Sequence, residues 1–165
     1  MLNKGRRIIA VLCTFAILLS AFVVGLLPME TLAATSAEGP VLDLEEDVKY
    51  FGRTFAENGV RYFSWSNSGF QFSFYGTGAT ATLKSTQHTA GSATETAYVK
   101  IYVDGAFYKD VAVPETETAV TLASGLTNGQ HTIKVVKRTS GYYSIVGLSK
   151  IQLDVGSEIR QTQKH

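Results

Sequence analysis

The sequence predicts an all-β fold, a two-sheet antiparallel β-sandwich preceded by an N-terminal signal or anchor helix. Three observations predict it. Beyond residue 34 the apolar residues recur with period two and show no helical period. The alternating runs are separated by Gly, Asn and Asp, including the turn-forming pairs Asp104-Gly105 and Asn128-Gly129. The runs are short and about nine in number, the spacing of sandwiches and barrels. Strands with one apolar face and no helix to cover it must bury that face against a second sheet.

The N-terminal segment comes first. Lys4, Arg6 and Arg7 precede an uncharged apolar run from Ile8 to Leu27, and small residues follow at Thr31, Ala33 and Ala34. This is the layout of a secretory signal peptide over residues 1–34, cleaved near Ala33 or Ala34. The run is also long enough to span a bilayer, so an uncleaved membrane anchor over residues 8–27 is the alternative. On either reading the remainder is expected outside the cell. The one cysteine, Cys13, lies in this run, so the exported part forms neither a disulfide nor a thiolate metal site. Without residues 1–33, which hold Lys4, Arg6, Arg7 and Glu30, 12 basic and 13 acidic residues remain of the chain's 15 and 14. That balance gives no reason to expect nucleic acid or an acidic membrane as partner.

Residues 35–47 read as an acidic lead-in, 48–155 as the sandwich and 156–165 as a polar tail or linker remnant. Within the sandwich Val48 to Phe55 and Val60 to Trp65 are expected strands. Gly69 to Gly76 is the clearest, with Phe70, Phe72 and Phe74 on one face and Gln71, Ser73 and Tyr75 on the other. Ala79 to Lys84 follows. Ser85 to Thr96 is a long loop, rich in small polar residues and holding His88. Val99, Ile101 and Val103 then alternate with Tyr98, Lys100 and Tyr102, and Asp104-Gly105 turns the chain into Phe107 to Val113. Ala119 to Ala123 is another strand, and Asn128-Gly129 predicts a second hairpin leading into His131 to Lys137. Tyr143 to Asp154 is the last strand, with a bend expected at Gly147.

Catalytic chemistry finds no framework here. An acyl-transfer site needs a nucleophile on a strained turn, a base and an orienting acid, yet the sequence holds neither Gly-x-Ser-x-Gly nor Gly-Asp-Ser. Its histidines, His88, His131 and His165, fall in a loop, at a strand start and at the terminus. No cofactor is expected. The histidines are too dispersed for zinc, and Asp43, Glu45, Glu46 and Asp47 read as a solvated lead-in before they read as calcium ligands. Aromatic rings are the remaining signal, because an exposed Tyr or Trp stacks on sugar rings. Tyr98 and Tyr102 share the strand face opposite the aliphatic one, and Tyr142-Tyr143 follows a Ser-Gly turn. These four tyrosines are the candidate glycan contacts. Trp65, in register with Phe63, is expected in the core, and Lys137 and Arg138 at a solvated strand end.

Three stretches carry a family resemblance: Tyr50-Phe51-Gly52-Arg53-Thr54, then VRYFSWSNSGFQFSF over Val60 to Phe74, then VKIYVDG over Val99 to Gly105. With LASGLTNGQHTIKVVKRT over Leu122 to Thr139 they resemble the N-terminal domain of family 2 carbohydrate esterases (acetylxylan esterase-like). The resemblance implies a jelly-roll sandwich that, in the family, precedes a Gly-Asp-Ser hydrolase domain removing acetyl groups from plant cell-wall polysaccharides such as xylan and glucomannan. Serine and histidine of that second domain have no counterpart here, so no catalytic residue is carried over. The expected role is a non-catalytic accessory module of an extracellular polysaccharide-deacetylating system, a monomer contacting glycan or a partner hydrolase domain. The alternatives are the N-terminal fragment of an acetyl esterase and a surface adhesion or structural module.

Overall fold

The computed structural model describes residues 38–87 and 96–161. Among them lie β1 (Lys49–Phe51), β2 (Thr54–Glu57), β3 (Val60–Phe63), β4 (Gly69–Gly76), β5 (Ala79–Gln87), β6 (Tyr98–Val103), β7 (Ala106–Ala112), β8 (Thr118–Ala123), β9 (Gly129–Lys137), β10 (Ser144–Leu153) and β11 (Glu158–Arg160). They form two antiparallel sheets. One runs β1-β4-β9-β6-β7 with β11 also on β4; the other runs β2-β3-β10-β5-β8. Most consecutive strands lie in opposite sheets, the jelly-roll habit, and only β2–β3 and β6–β7 are joined as hairpin partners among the described residues.

Side-chain parity builds the core. Phe70, Phe72 and Phe74 point inward from β4 and are fully buried, their ring centroids stepping 6.4 and 5.9 Å along the strand. Phe63 reaches across from β3 and meets Phe70 edge-on at 5.8 Å. Val99 and Ile101 of β6 and Ile133 and Val135 of β9 continue this layer, facing Leu83, Leu122, Val146 and Leu148 of the other sheet. The Asp104-Gly105 turn forms as the sequence requires, with positive φ at both residues (52° and 83°). Asn58-Gly59 makes a second such turn between β2 and β3 (51° and 75°).

Several elements differ from expectation. Asn128-Gly129 makes no hairpin: β8 pairs with β5 in one sheet and β9 lies between β4 and β6 in the other. Val120 and Leu122 fill one inner face while Ile133 and Val135 fill the opposite one, so the chain must cross between sheets here. Val48 to Phe55 is divided at Gly52 (φ 75°) into β1 and β2, which belong to different sheets. The irregularity of β10 falls between Leu148 and Lys150 rather than at Gly147.

The lead-in and tail take part in the sandwich. Val41 bridges Gln152 and Leu42 is buried in the core. Asp43 Oδ1 accepts the backbone N–H groups of Glu45 and Glu46, and Arg61 Nη2 donates to both carboxylate oxygens of Glu45, at 2.5 and 2.6 Å. The same guanidinium lies 4.7 Å above the Tyr50 ring, closing the sandwich's edge. β11 lies along β4 beyond β1. Three-residue strands are too short to show alternation in a sequence.

The core assignment predicts that Phe72→Ala lowers unfolding free energy by about 3–5 kcal/mol. Val155→Ala, at a residue 63% exposed, should change it by about 0.5 kcal/mol or less. Denaturant unfolding of the two variants checks both.

Candidate functional site

Two concave surfaces share the loop between β3 and β4. After Phe63 the chain turns through Ser64 to Ser68, with Asn67 at positive φ (63°) and the Ser68 hydroxyl donating to the Trp65 carbonyl at 2.5 Å. Trp65 thereby points outward, 57% exposed, under the Arg53 guanidinium at 5.3 Å. Opposite it, Gly141 of the β9–β10 loop packs so closely that a Cβ there would stand 2.8 Å from the Ser64 carbonyl oxygen. A glycine is therefore what lets the two loops meet. Tyr142, 66% exposed, rises beside it with Tyr143 edge-on at 5.2 Å. Ser64, Trp65, Ser140, Gly141 and Tyr142 line a cleft of about 340 Å³.

Lys137 fixes this loop from below. It shares the inward parity of Ile133 and Val135, is wholly buried, and donates from Nζ to the carbonyls of Thr139 (2.5 Å) and Ser140 (3.2 Å). Burial pushes its ammonium down to about 8. The expected solvated strand end holds only for Arg138, which is exposed and pairs with Asp110 at 3.5 Å. For Lys137 parity overrides charge, and the loop's carbonyls offset only part of its desolvation.

The second surface is a groove of about 460 Å³ on the outer face of the six-stranded sheet, lined by Phe51, Asn67, Tyr102, Gly105, Lys134 and Val136. Its floor follows from Gly69, where a Cβ would meet the Val135 carbonyl oxygen at 2.0 Å and the Phe51 ring at 3.1 Å. The Phe51 ring lies across that bare position, and Lys134 Nζ stands 4.9 Å over it. Phe107 packs edge-on to Tyr102 at 6.0 Å.

The four tyrosines named from the sequence thus divide. Tyr102 lines the groove, Tyr98 is exposed on the same face beneath Arg138 (5.6 Å), and Tyr142 lines the cleft with Tyr143 against it. Trp65 corrects the expectation of core packing: β3 ends at Phe63, so parity with Phe63 ceases to apply two residues later. The Ser66-Asn67-Ser68-Gly69 string was the signal of a turn there. Phe51 and Lys134 carried no such signal, because cross-strand register brings them together.

The titratable candidates are spent on structure. His131 Nδ1 and Nε2 each lie 2.7 Å from an acceptor, Asp104 Oδ2 and the Thr127 carbonyl, so neither nitrogen is free to act as a base. Asp43 and Asp47 cap the lead-in turn and Glu45 binds Arg61. Among the described residues no three His, Cys, Asp or Glu gather as metal ligands, and no helix is long and apolar enough to cross a membrane. His88, His165 and the segment 1–34 lie outside the described residues.

The described residues thus form a two-sheet sandwich that presents two open, aromatic-lined concave surfaces. The chain belongs to the carbohydrate esterase 2 N-terminal family, whose model matches residues 50–162. It is similar to a family two carbohydrate esterase from Clostridium thermocellum solved in complex with cellohexaose: 28% identity, TM-score 0.60, covering 71% of this chain and 34% of that one. An acetyl xylan esterase from Butyrivibrio proteoclasticus shares the fold at 10% identity and TM-score 0.64, over 78% of this chain and 35% of the other. So does a CBM36-1 domain of a xylanase from the hindgut metagenome of Trinervitermes trinervoides, at 14% identity and TM-score 0.53, over 69% and 94%. No curated protein sequence matches the chain. The chain spans about a third of the length of the esterases it matches.

His131 gives this region a pH dependence. The Thr127 carbonyl and the Asp104 carboxylate can only accept, so both ring nitrogens carry protons and the imidazolium is favoured, first by Thr127 and then by Asp104. Desolvation, which lifts the Asp104 carboxyl, is outweighed by hydrogen bonds from His131 and the Thr132 N–H, and its pKa falls. With the folded pKa of His131 raised, its stabilisation is complete below the ordinary histidine value and is lost as pH rises through the raised one. Wild type should therefore exceed His131→Phe in unfolding free energy by more at pH about 6 than at pH about 9, read from denaturant curves at the two values.

Proposed function

We propose that this chain is an exported, non-catalytic module that contacts polysaccharide within an extracellular deacetylating system, through the Trp65–Tyr142 cleft and the adjoining sheet groove. One observation carries the reading. The sequence's single tryptophan is held 57% exposed by a built turn, facing a tyrosine 66% exposed across a cleft sized for a sugar ring. Rings left this exposed forgo part of the stabilisation, about 1.5–3 kcal/mol, that full burial of a large apolar side chain supplies. Stacking on a pyranose face recovers part of it, and the serines beside them, Ser64 and Ser140, offer hydroxyls to the sugar's rim. The esterase solved with cellohexaose supports a glycan context for the family. Export rests on the signal-like layout of residues 1–34.

A second reading is favoured by the chain's span of about a third of those esterases: the module is the front of an acetyl esterase whose hydrolase domain lies elsewhere. Under both readings the residues here bind and the chemistry belongs to another domain.

Retention on insoluble acetylated xylan and glucomannan tests the proposal. Wild type should be retained, and Trp65→Ala should weaken binding about fivefold, the loss of about 1 kcal/mol of ring stacking. Tyr62→Ala, on the opposite sheet's outer face, should leave it unchanged. Failure of wild type to bind any polysaccharide would overturn the reading. Turnover of a chromogenic acetyl ester by the purified chain would overturn the assignment of chemistry to another domain.

A further inference from the structure

Charge on this nearly neutral chain is segregated. Register places Lys49, Gln71, Lys134, Tyr102 and Phe107 in one row across the outer face of the six-stranded sheet. The next row holds Phe51, Gly69, Val136, Lys100 and Asp110. Arg138 and Arg160 flank these rows, with Arg160 lying 5.9 Å over the Tyr75 ring. Against these five cations the face carries two carboxylates, Asp110 and Glu158, paired to Arg138 at 3.5 Å and to Arg160 at 3.0 Å. Asp110 stands opposite Lys100 in register, but its carboxylate pairs with Arg138. Among the described residues neither Lys100 nor Lys134 has a salt bridge. The opposite sheet's outer face is mainly threonine and uncharged side chains, with Lys84 and Lys150 on β5 and β10 balanced by Glu57 on β2 and by Glu117, which accepts from Ser149.

We propose that this face selects polysaccharides carrying carboxylates, the uronic-acid-substituted glycans, over neutral ones; the proposal rests on the glycan-contact reading and names the substrate class of its groove. Lys134 is the central contact. The Phe51 ring beneath its ammonium holds it over the groove in place of a counter-ion, leaving its N–H donors for an incoming acceptor. Strands about 4.8 Å apart set Lys49 and Lys134 roughly 10 Å from one another at the backbone, a separation suited to spaced side groups on an extended chain. Tyr102 and Phe107 continue the row with apolar surface that a nucleic-acid backbone would not use but a sugar ring would. Duplex nucleic acid, whose bases are already stacked on one another, is therefore the disfavoured polyanion.

The test compares the full chain's affinity for glucuronoxylan and for the same polymer after chemical reduction of its carboxyl groups. Wild type should bind the native polymer about fivefold more tightly at low salt, a preference that fades as salt rises from about 0.05 to 0.5 M. Lys100→Met with Lys134→Met should abolish the preference while unfolding at the wild-type midpoint. Lys84→Met with Lys150→Met, on the other face, should keep it. Equal binding of native and reduced polymer overturns this inference and leaves the glycan reading intact, whereas no binding to either overturns both. Loss of the preference in the Lys84/Lys150 variant shows a bulk-charge effect and overturns it. So does binding to duplex DNA that equals the glycan's and disappears with Lys100 and Lys134.

Discussion

The packing of Phe70, Phe72 and Phe74 against the opposite sheet sets the rest of the molecule. With a single cysteine no internal disulfide can form, so burial of these rings and their neighbours must hold the two layers together. β4 lies between β9 and the short strands β1 and β11, and Phe63 of the facing sheet meets its first ring edge-on. Because the phenylalanines claim the inner positions, Gly69, Gln71 and Ser73 are forced outward. The same parity on β9 buries Ile133, Val135 and Lys137 and turns Lys134 and Val136 to solvent. The groove is thus the reverse side of the core, and a one-residue slip of β4 would destroy both.

How far the sequence discloses this depends on length and on locality. β4 and β6 alternate over six or more residues and are legible at once, as is the Asp104-Gly105 turn. β1, β2 and β11, three or four residues each, leave no period to read, so the lead-in and tail pass for linkers. Asn128-Gly129 misleads because turn chemistry reports a local bend and not which sheet receives the next strand. The candidate site divides the same way. Tyr98, Tyr102, Tyr142 and Tyr143 can be named from parity and turn position. The Phe51–Lys134 pair and the Gly141–Ser64 contact join residues distant in sequence and are written only in register.

Lys137 shows the two levels in conflict. Periodicity sends it inward and charge argues for solvent, and the structure satisfies both by ending the strand there and folding the carbonyls of Thr139 and Ser140 back onto its ammonium. A buried cation without a carboxylate partner is costly. Here its attraction for two carbonyl dipoles ties down the loop that presents Tyr142, so core and cleft are mechanically one unit. Its depressed pKa, about 8, means that the tie changes character in mildly alkaline water, where a neutral amine donates less strongly.

β1 and β11 share one edge of β4, and their outer ends converge: Lys49 pairs with Gln71, and Arg160 with Ser73, two positions further along. The start of β1 and the end of β11 therefore meet at neighbouring points on a single strand. Tension on the trailing segment would act first on Arg160 and peel β11 away one hydrogen bond at a time, from the middle of β4 outward. Such a zipper-like geometry yields at low force while the buried layer behind it stays shut, so a pull on the C-terminal side would spend itself on a three-residue strand before reaching the cleft and the groove.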